Sequence, residues 1–218
     1  SWIHSITDNV QRWSSGRPSS KPFTVETWQK RFEKKSHIGL LDLKIQGLVV
    51  MEYIPNLNLW DVLHNNAGAL SHNQILDSLK WVAEDVNRMH ANDKTWGELI
   101  VNNVILRDKT LRPVICDTEV DYWQRTGEDS RKAHDWRDLI FSACGSYTTT
   151  IERKKALAGD LFKRIEDRST QRKLVEMCRK RRHLGQVICW QGMGGALSCS
   201  WSDYTLIRKA IVYTWETM

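Results

Sequence analysis

Residues 96–106 of the chain, Trp-Gly-Glu-Leu-Ile-Val-Asn-Asn-Val-Ile-Leu, are the stretch that decides the predicted fold. The first half contains Gly97 and the charged Glu98, which is typical of a loop. From Val104 the stretch is apolar and β-branched, which is typical of a short buried strand. A second apolar run at residues 113–116 follows a turn. The two runs therefore predict a β-hairpin that begins directly after a pair of asparagines.

A long amphipathic helix is predicted before this stretch. Ser71 is a suitable N-cap, and the apolar residues after it recur at steps of four and three positions, as they do on one face of a helix. These residues are Ile75, Leu79, Val82, Val86 and Met89. The pattern predicts one helix over residues 72–91, with a loop connecting it to Gly97.

The segments nearer the N-terminus predict a helix, a strand and a short helix. Residues 24–35 have helical spacing, with Thr24 as a possible N-cap. Residues 47–54 are apolar and β-branched, and Pro55-Asn56 follows them, so a buried strand is expected to end there. Residues 59–64 predict a short helix.

The C-terminal two-thirds are predicted to be mainly helical. Helices are expected at residues 129–144, 152–168 and 169–182, with a last helix beginning near Ser202 or Asp203. A second hairpin is expected from residues 186–190 and 197–201, on either side of a glycine-rich loop. Few strands, most of them early in the chain, followed by helices make the predicted fold class α+β.

Composition places the chain among ordinary globular proteins. It has 218 residues, of which 41% are hydrophobic and 27% are charged. No apolar run approaches the roughly 18 residues that span a bilayer, so no membrane span is expected. The five cysteines form no C-x-x-C pair and are odd in number. They are therefore interpreted as buried small hydrophobes in a reducing compartment, and a cytoplasmic location is predicted.

Positive charge is concentrated in one segment. The net charge is +6, and nine of the Lys and Arg residues lie between Lys163 and Arg182. Such a segment can contact RNA or another polyanion. It can equally be the solvated face of a pair of helices, and the sequence leaves both interpretations open.

The order of these features resembles the catalytic half of protein kinases. It is most similar to the compact atypical branch with an H-G-D-L-x-x-x-N loop, which includes the RIO kinases, the small kinase of the KEOPS complex, and lipopolysaccharide and aminoglycoside phosphotransferases. The resemblance covers residues 48–142 and is strongest from Met89 to Asp135. It implies a two-lobed kinase-like fold, with a reduced N-lobe and hinge strand at residues 1–54 and a mainly helical C-lobe at residues 55–218.

The resemblance also implies an activity. An atypical kinase would transfer the γ-phosphate of ATP to a hydroxyl acceptor, with a protein as the expected substrate and Mg²⁺ or Mn²⁺ as the metal cofactor. Glu98 stands at the position of the catalytic carboxylate, and Asn103 follows it by five residues, as the metal-binding asparagine does in the family. Asp117, fourteen residues later, stands at the position of the second metal ligand. An aspartate at the position of Asp135 supports the backbone of the catalytic loop in kinases generally.

Nucleotide-binding residues are implied in the first 54 residues. The backbone groups of the hinge would face the adenine ring, and one side chain would lie at the back of the pocket. A lysine would hold the phosphates, with a glutamate on the helix that follows it. Glu52, Tyr53 and Ile54 would form the hinge, and Met51 would lie at the back of the pocket. Lys21 would be the phosphate-binding lysine, and Glu26 would be the glutamate on the following helix.

Several residues depart from the family pattern. Trp96 replaces the usual histidine and Glu98 the usual aspartate, Asp117-Thr118-Glu119 replaces D-F-G, and no glycine-rich loop precedes the hinge. Two alternatives to an active kinase therefore stay open. One is a pseudokinase that serves as a nucleotide-binding, scaffold or regulatory module. The other is a protein that binds polyanions through residues 163–182.

Overall fold

The structure is a computed structural model, and it describes residues 40–42, 50–51, 56–66, 70–107, 110–116, 126–180 and 199–218. Within these ranges the elements follow one another as β1 (Leu40–Asp42), β2 (Val50–Met51), β3 (Asn56–Asn58), α1 (Leu59–Asn65), α2 (His72–Ala91), a 3₁₀ helix (Val101–Asn103), β4 (Val104–Arg107), β5 (Pro113–Ile115), α3 (Glu128–Ser146), α4 (Ile151–Lys163), α5 (Arg168–Arg179) and α6 (Trp201–Thr217). The described part of the chain is mainly helical with small antiparallel sheets, in agreement with the α+β class.

Strands β3, β4 and β5 form a three-stranded antiparallel sheet in that order. Leu57 pairs with Leu106, and Ile105 pairs with Val114. The predicted β4–β5 hairpin is therefore confirmed. Strand β3 was not predicted, because two of its three residues are asparagines, which are depleted in strands. Strands β1 and β2 form a separate antiparallel pair.

Helix α2 has the predicted bounds. Its N-cap Ser71 and Gln74 form a capping box, in which the Gln74 N–H donates to Ser71 Oγ at 3.3 Å and the Ser71 N–H to Gln74 Oε1 at 2.9 Å. The predicted apolar face is buried from Ile75 to Val86, while Met89 is half-buried. The short helix α1, predicted over residues 59–64, is also confirmed.

Helix α3 lies at the centre of the helical part. Of its 19 residues, 14 are buried, and it packs against α4, α5 and α6. A helix enclosed in this way carries its polar side chains into the core, where each needs a partner. Asp135 and Ser142 are two such polar residues of α3, and both are 0% exposed.

Two predicted boundaries are wrong. The helix predicted over residues 152–168 ends at Lys163, and Asp167 begins α5 as its N-cap. The strand predicted over residues 197–201 is wrong at its C-terminal end, where Ser200 is the N-cap of α6 and its Oγ accepts the Asp203 N–H at 3.1 Å. Side-chain caps of serine and aspartate override the weak apolar spacing in both places.

Other predictions lie outside the described residues. These are the helix at residues 24–35, the strand at residues 186–190, and most of the proposed N-lobe. The division at residue 54 stays a prediction. None of the helices that the structure describes combines the length and apolar character that crossing a bilayer requires.

The described cysteines are free thiols, as predicted, and three of the four are buried. Cys144, Cys178 and Cys199 lie in the core, whereas Cys116 is half-buried. Burial, followed by the nearby Asp203 carboxylate, raises the pKa of Cys199 to about 12. Burial also raises the pKa of Cys144. Both therefore remain protonated and serve as small apolar side chains at neutral pH.

The cap of α5 predicts a dependence of stability on pH. Burial alone would raise the pKa of Asp167, but hydrogen bonds from the hydroxyl and N–H groups of Thr170 and Ser169 outweigh it and lower the pKa from 3.8 to about 2. A lowered pKa in the folded state means that the charged cap stabilises above pH 4 and that this contribution is lost as the pH falls toward 2. Asp167→Ala is expected to lower the free energy of unfolding by about 1 kcal/mol at pH 7.

The measurement is urea unfolding of both proteins at several pH values. The difference in free energy of unfolding between wild type and Asp167→Ala should shrink as the pH falls from 4 to 2. Asp167→Asn retains a capping side chain without a titrating group, and it should show a difference from Asp167→Ala that does not depend on pH. If the free energy of unfolding of wild type exceeded that of Asp167→Ala by the same amount down to pH 2, this role of Asp167 would be refuted.

Candidate functional site

The segment from Thr95 to Asn103, termed the central loop from here on, connects α2 to β4 and lies against α3. Helix α2 ends at Ala91, and the N–H groups of Asn92 and Lys94 both donate to Met89 O at 3.1 Å. The chain then turns into the core, where Trp96 and Leu99 are both 0% exposed. Glu98 lies between them and is only partly buried. The central loop is therefore held by two apolar anchors on either side of one carboxylate.

Asp135 fastens the start of the central loop to α3. Its Oδ2 accepts the N–H of Trp96 at 2.7 Å, and its Oδ1 accepts the N–H of Gly97 at 2.9 Å. The Nε2 of His90, at the end of α2, lies 3.0 Å from the same Oδ2. One buried carboxylate thus joins α2, α3 and the central loop. Support of the loop backbone is the role that the family resemblance implies for Asp135.

Gly97 adopts a backbone conformation that this arrangement requires. Its φ is 106°, a value that residues with a Cβ rarely adopt. The positive φ occurs at one of the two residues whose N–H groups Asp135 accepts. A glycine at this position therefore allows the chain to present consecutive donors to one carboxylate and then continue to Glu98.

Ser142 fastens the central loop a second time. Its Oγ accepts the N–H of Val101 at 3.1 Å and donates to Asp138 O at 2.6 Å. Asp135 and Ser142 are seven residues apart, about two turns, so they lie on the same side of α3. A third contact comes from Asn58, whose Nδ2 donates to Asn102 O at 2.7 Å while its Oδ1 caps α1.

Glu98 and Asn103, the predicted catalytic and metal-binding residues, are brought together within the central loop. Asn103 Nδ2 donates to the backbone oxygen of Glu98 at 3.0 Å, so a hydrogen bond links two residues that are five positions apart. Within the described part of the chain, no donor reaches Asn103 Oδ1. The amide nitrogen thus orients the side chain and leaves its oxygen, a hard donor atom that Mg²⁺ prefers, for a ligand.

The end of strand β5 lies beside Asn103. The Cys116 N–H donates to Asn103 O at 2.8 Å, and Cys116 Sγ lies 3.3 Å from the same oxygen. Cys116 directly precedes Asp117, the other predicted metal ligand. Asp117 itself lies outside the described residues. Among the residues that are described, no group of three or more His, Cys, Asp and Glu side chains is placed to hold a metal ion.

The predicted nucleotide-binding residues are not tested by the structure. Met51 is described only as backbone in the pair β1–β2. The others lie outside the described residues; they are Lys21, Glu26, Glu52, Tyr53 and Ile54. Their implied contacts with the adenine ring and phosphates stay predictions.

Three supporting residues were not singled out from the sequence. His90 and Ser142 contact the central loop network only through the tertiary fold, and nothing in their local spacing indicates it. Asn58 carried a usable signal, because asparagine directly before a short helix is a preferred N-cap. Its second hydrogen bond, to Asn102 O, depends on strand pairing between β3 and β4.

The basic segment at residues 163–182 is partly neutralised where the structure describes it, up to Lys180. Lys173 pairs with Glu176 at 3.1 Å, and Arg179 pairs with Glu216 at 2.7 Å. The guanidinium of Arg168 lies 3.6 Å above the centre of the Trp215 ring. The two ion pairs offset part of the positive charge of the segment, whereas the stacking on Trp215 leaves the charge of Arg168 in place. Binding of RNA by this segment stays a prediction.

Comparison with known proteins adds no assignment. No protein-family model matches the chain, and no curated protein matches its sequence.

Proposed function

We propose that the chain is an atypical kinase-like phosphotransferase, and that the central loop is its catalytic loop. The observation that carries this proposal is the pair of hydrogen bonds from Trp96 N and Gly97 N to the fully buried Asp135. The closure of Asn103 Nδ2 onto Glu98 O supports it. In kinases generally, an aspartate at the position of Asp135 supports the backbone of the catalytic loop, and Asp135 accepts two backbone N–H groups of the central loop.

The proposed roles follow from the side chains present. Glu98 orients the acceptor hydroxyl and accepts its proton, since a carboxylate is a suitable general base. Asn103 Oδ1 and the Asp117 carboxylate are hard oxygen ligands suited to Mg²⁺ or Mn²⁺. When bound, the metal neutralises charge on the phosphates of ATP. The two ligands come from adjacent segments, because Cys116 bonds directly to Asn103.

Rigidity of the central loop is the structural basis of this proposal. Displacement of a catalytic group by about 1 Å can cost on the order of 100-fold in rate. Asp135, Ser142 and Asn58 each hold a backbone group of the loop. The side chain of Glu98 is one methylene longer than the aspartate of the family, so its carboxylate reaches further from the same backbone.

Substitution of Glu98 tests catalysis. Glu98→Gln retains the shape and removes the base, so we expect transfer or hydrolysis of the γ-phosphate to fall by about 100-fold or more. The measurement is release of γ-phosphate from ATP with Mg²⁺ and with Mn²⁺. The melting temperature of each variant is measured alongside, so that a loss of activity is assigned to chemistry only where the protein remains folded. The hydrogen bond from Asn103 reaches the backbone oxygen of Glu98, so the substitution leaves that acceptor in place.

Glu98→Asp is the matched control, since it retains the charge but shortens the reach. Activity of Glu98→Gln equal to that of wild type would overturn the catalytic role. A wild-type protein that releases no γ-phosphate but binds ATP would favour the second candidate, a pseudokinase. The observation that favours a pseudokinase is that Trp96, fully buried, stands where the family has histidine.

A further inference from the structure

Helices α4 and α6 enclose a surface groove that the proposed active site does not use. The helices run in the same direction, because Lys154 pairs with Asp203 near their starts and Phe162 contacts Trp215 near their ends. The groove between them has a volume of about 720 Å³. Its lining includes four small or apolar residues, termed the apolar floor of the groove from here on: Ala156, Gly159, Leu206 and Ala210.

The charges that line the groove are mainly positive. Lys155 and Lys163 contribute from α4 and Lys209 from α6, and all three are exposed. Within the described part of the chain, no carboxylate pairs with any of them, unlike Lys154, whose Nζ lies 3.1 Å from Asp203 Oδ2. Asp160 is the one acidic residue in the described lining. The groove therefore attracts negative charge.

Tyr213 gives the groove an aromatic side chain. It is 68% exposed, which is high for a large aromatic residue, and it lies one turn after Lys209 on the same face of α6. Tyrosine is enriched among the residues that dominate binding at protein interfaces, because its ring buries apolar area while its hydroxyl stays polar. The combination of an apolar floor, exposed lysines and an exposed tyrosine fits a peptide ligand.

We propose that this groove is a docking site for an acidic amphipathic segment of a partner protein. Apolar side chains of the segment would cover the floor, and its Asp and Glu residues would face Lys155, Lys163 and Lys209. Electrostatic complementarity of this kind speeds association and selects partners. The site goes beyond the proposed phosphotransfer and does not depend on ATP.

Two other occupants fit less well. RNA supplies phosphates but no apolar side chains for the floor, and the described lining offers one aromatic ring for stacking. The chain's own residues 181–198 begin with Arg181-Arg182-His183, so their charge opposes that of the groove. An acidic protein segment satisfies both the charge and the apolar floor.

Peptide selection tests the proposal. A random 12-residue peptide library is selected on the wild-type protein, and enriched peptides are measured by fluorescence anisotropy. We expect Asp or Glu beside Leu or Phe in them. The triple variant Lys155→Glu, Lys163→Glu, Lys209→Glu should weaken binding by about 30-fold or more. Ala156→Trp, which fills the groove without changing charge, should weaken it by about 10-fold.

The control is a triple variant with the same change of charge elsewhere, Lys80→Glu, Arg172→Glu, Lys180→Glu, and it should leave the affinity within about 3-fold. Thermal melting confirms that each variant is folded. The proposal is overturned if enriched peptides are not acidic, if none are enriched, or if the control weakens binding as much as the groove variant. Displacement of the peptide by a 20-nucleotide RNA that binds the groove more tightly would assign the site to a polyanion instead.

Discussion

Replacing Asp135 with alanine is expected to lower the free energy of unfolding by about 4 kcal/mol. The carboxylate is 0% exposed and lies within hydrogen-bond distance of donors on Trp96, Gly97 and His90. Alanine would leave these groups buried without an acceptor, and each such donor costs about 1–3 kcal/mol. Urea unfolding followed by far-UV circular dichroism measures the loss.

Milder substitutions make the result interpretable if Asp135→Ala does not fold. Asp135→Asn retains the size but directs an NH₂ group toward donors, so an intermediate loss is expected. Ser142→Ala removes the acceptor for Val101 N and should cost about 1 kcal/mol. Asp160→Ala, at an exposed position on α4, is the control and should change stability by less than about 0.5 kcal/mol. Equal stability of Asp135→Asn and the control would refute the anchoring role of Asp135.

Replacing Trp96 with histidine is expected to lower the free energy of unfolding by about 3 kcal/mol, even though histidine stands at the corresponding position in the kinases that the sequence resembles. Trp96 is completely buried and fills core volume beside α3. The smaller imidazole leaves a cavity in the volume that the indole ring fills. Thermal and urea unfolding measure the change.

The control for Trp96 is a tryptophan in a different environment. Trp201→His removes a side chain that is 47% exposed, and its cost should stay below about 1 kcal/mol. Trp96→Phe should fall between the two, because phenylalanine retains most of the apolar volume. If Trp96→His were as stable as wild type, the core would accept the family residue. Core packing would then not explain why tryptophan, rather than histidine, stands at position 96.

Prediction from sequence succeeded where the local signals agreed. Helix α2 was correctly bounded because an N-cap serine, regular apolar spacing and a terminal loop all pointed to the same residues. The β4–β5 hairpin and the central loop were found for the same reason. Asn103 Nδ2 donates to the backbone oxygen of Glu98. The catalytic role of Glu98 and the metal-binding role of Asn103 stay predictions.

The remaining features depend on tertiary contacts. Strand β3 forms only because β4 offers an edge to Asn56–Asn58, whose own composition does not favour a strand. His90 reaches Asp135 across 45 positions of the chain, so no local window contains both. The end of α4 was misjudged because Asp167 starts a new helix within a stretch whose apolar spacing continues. Long-range packing and side-chain caps thus decide what periodicity leaves open.

Binding of ATP tests the proposal that the central loop serves a nucleotide and its metal. The measurement is the melting temperature with ATP and Mg²⁺ or Mn²⁺, for wild type and for Asp117→Ala, since a ligand that binds only the folded state raises stability. We expect a metal-dependent rise in wild type that is lost in Asp117→Ala. No rise in wild type with either metal, or an equal rise in both proteins, would contradict it.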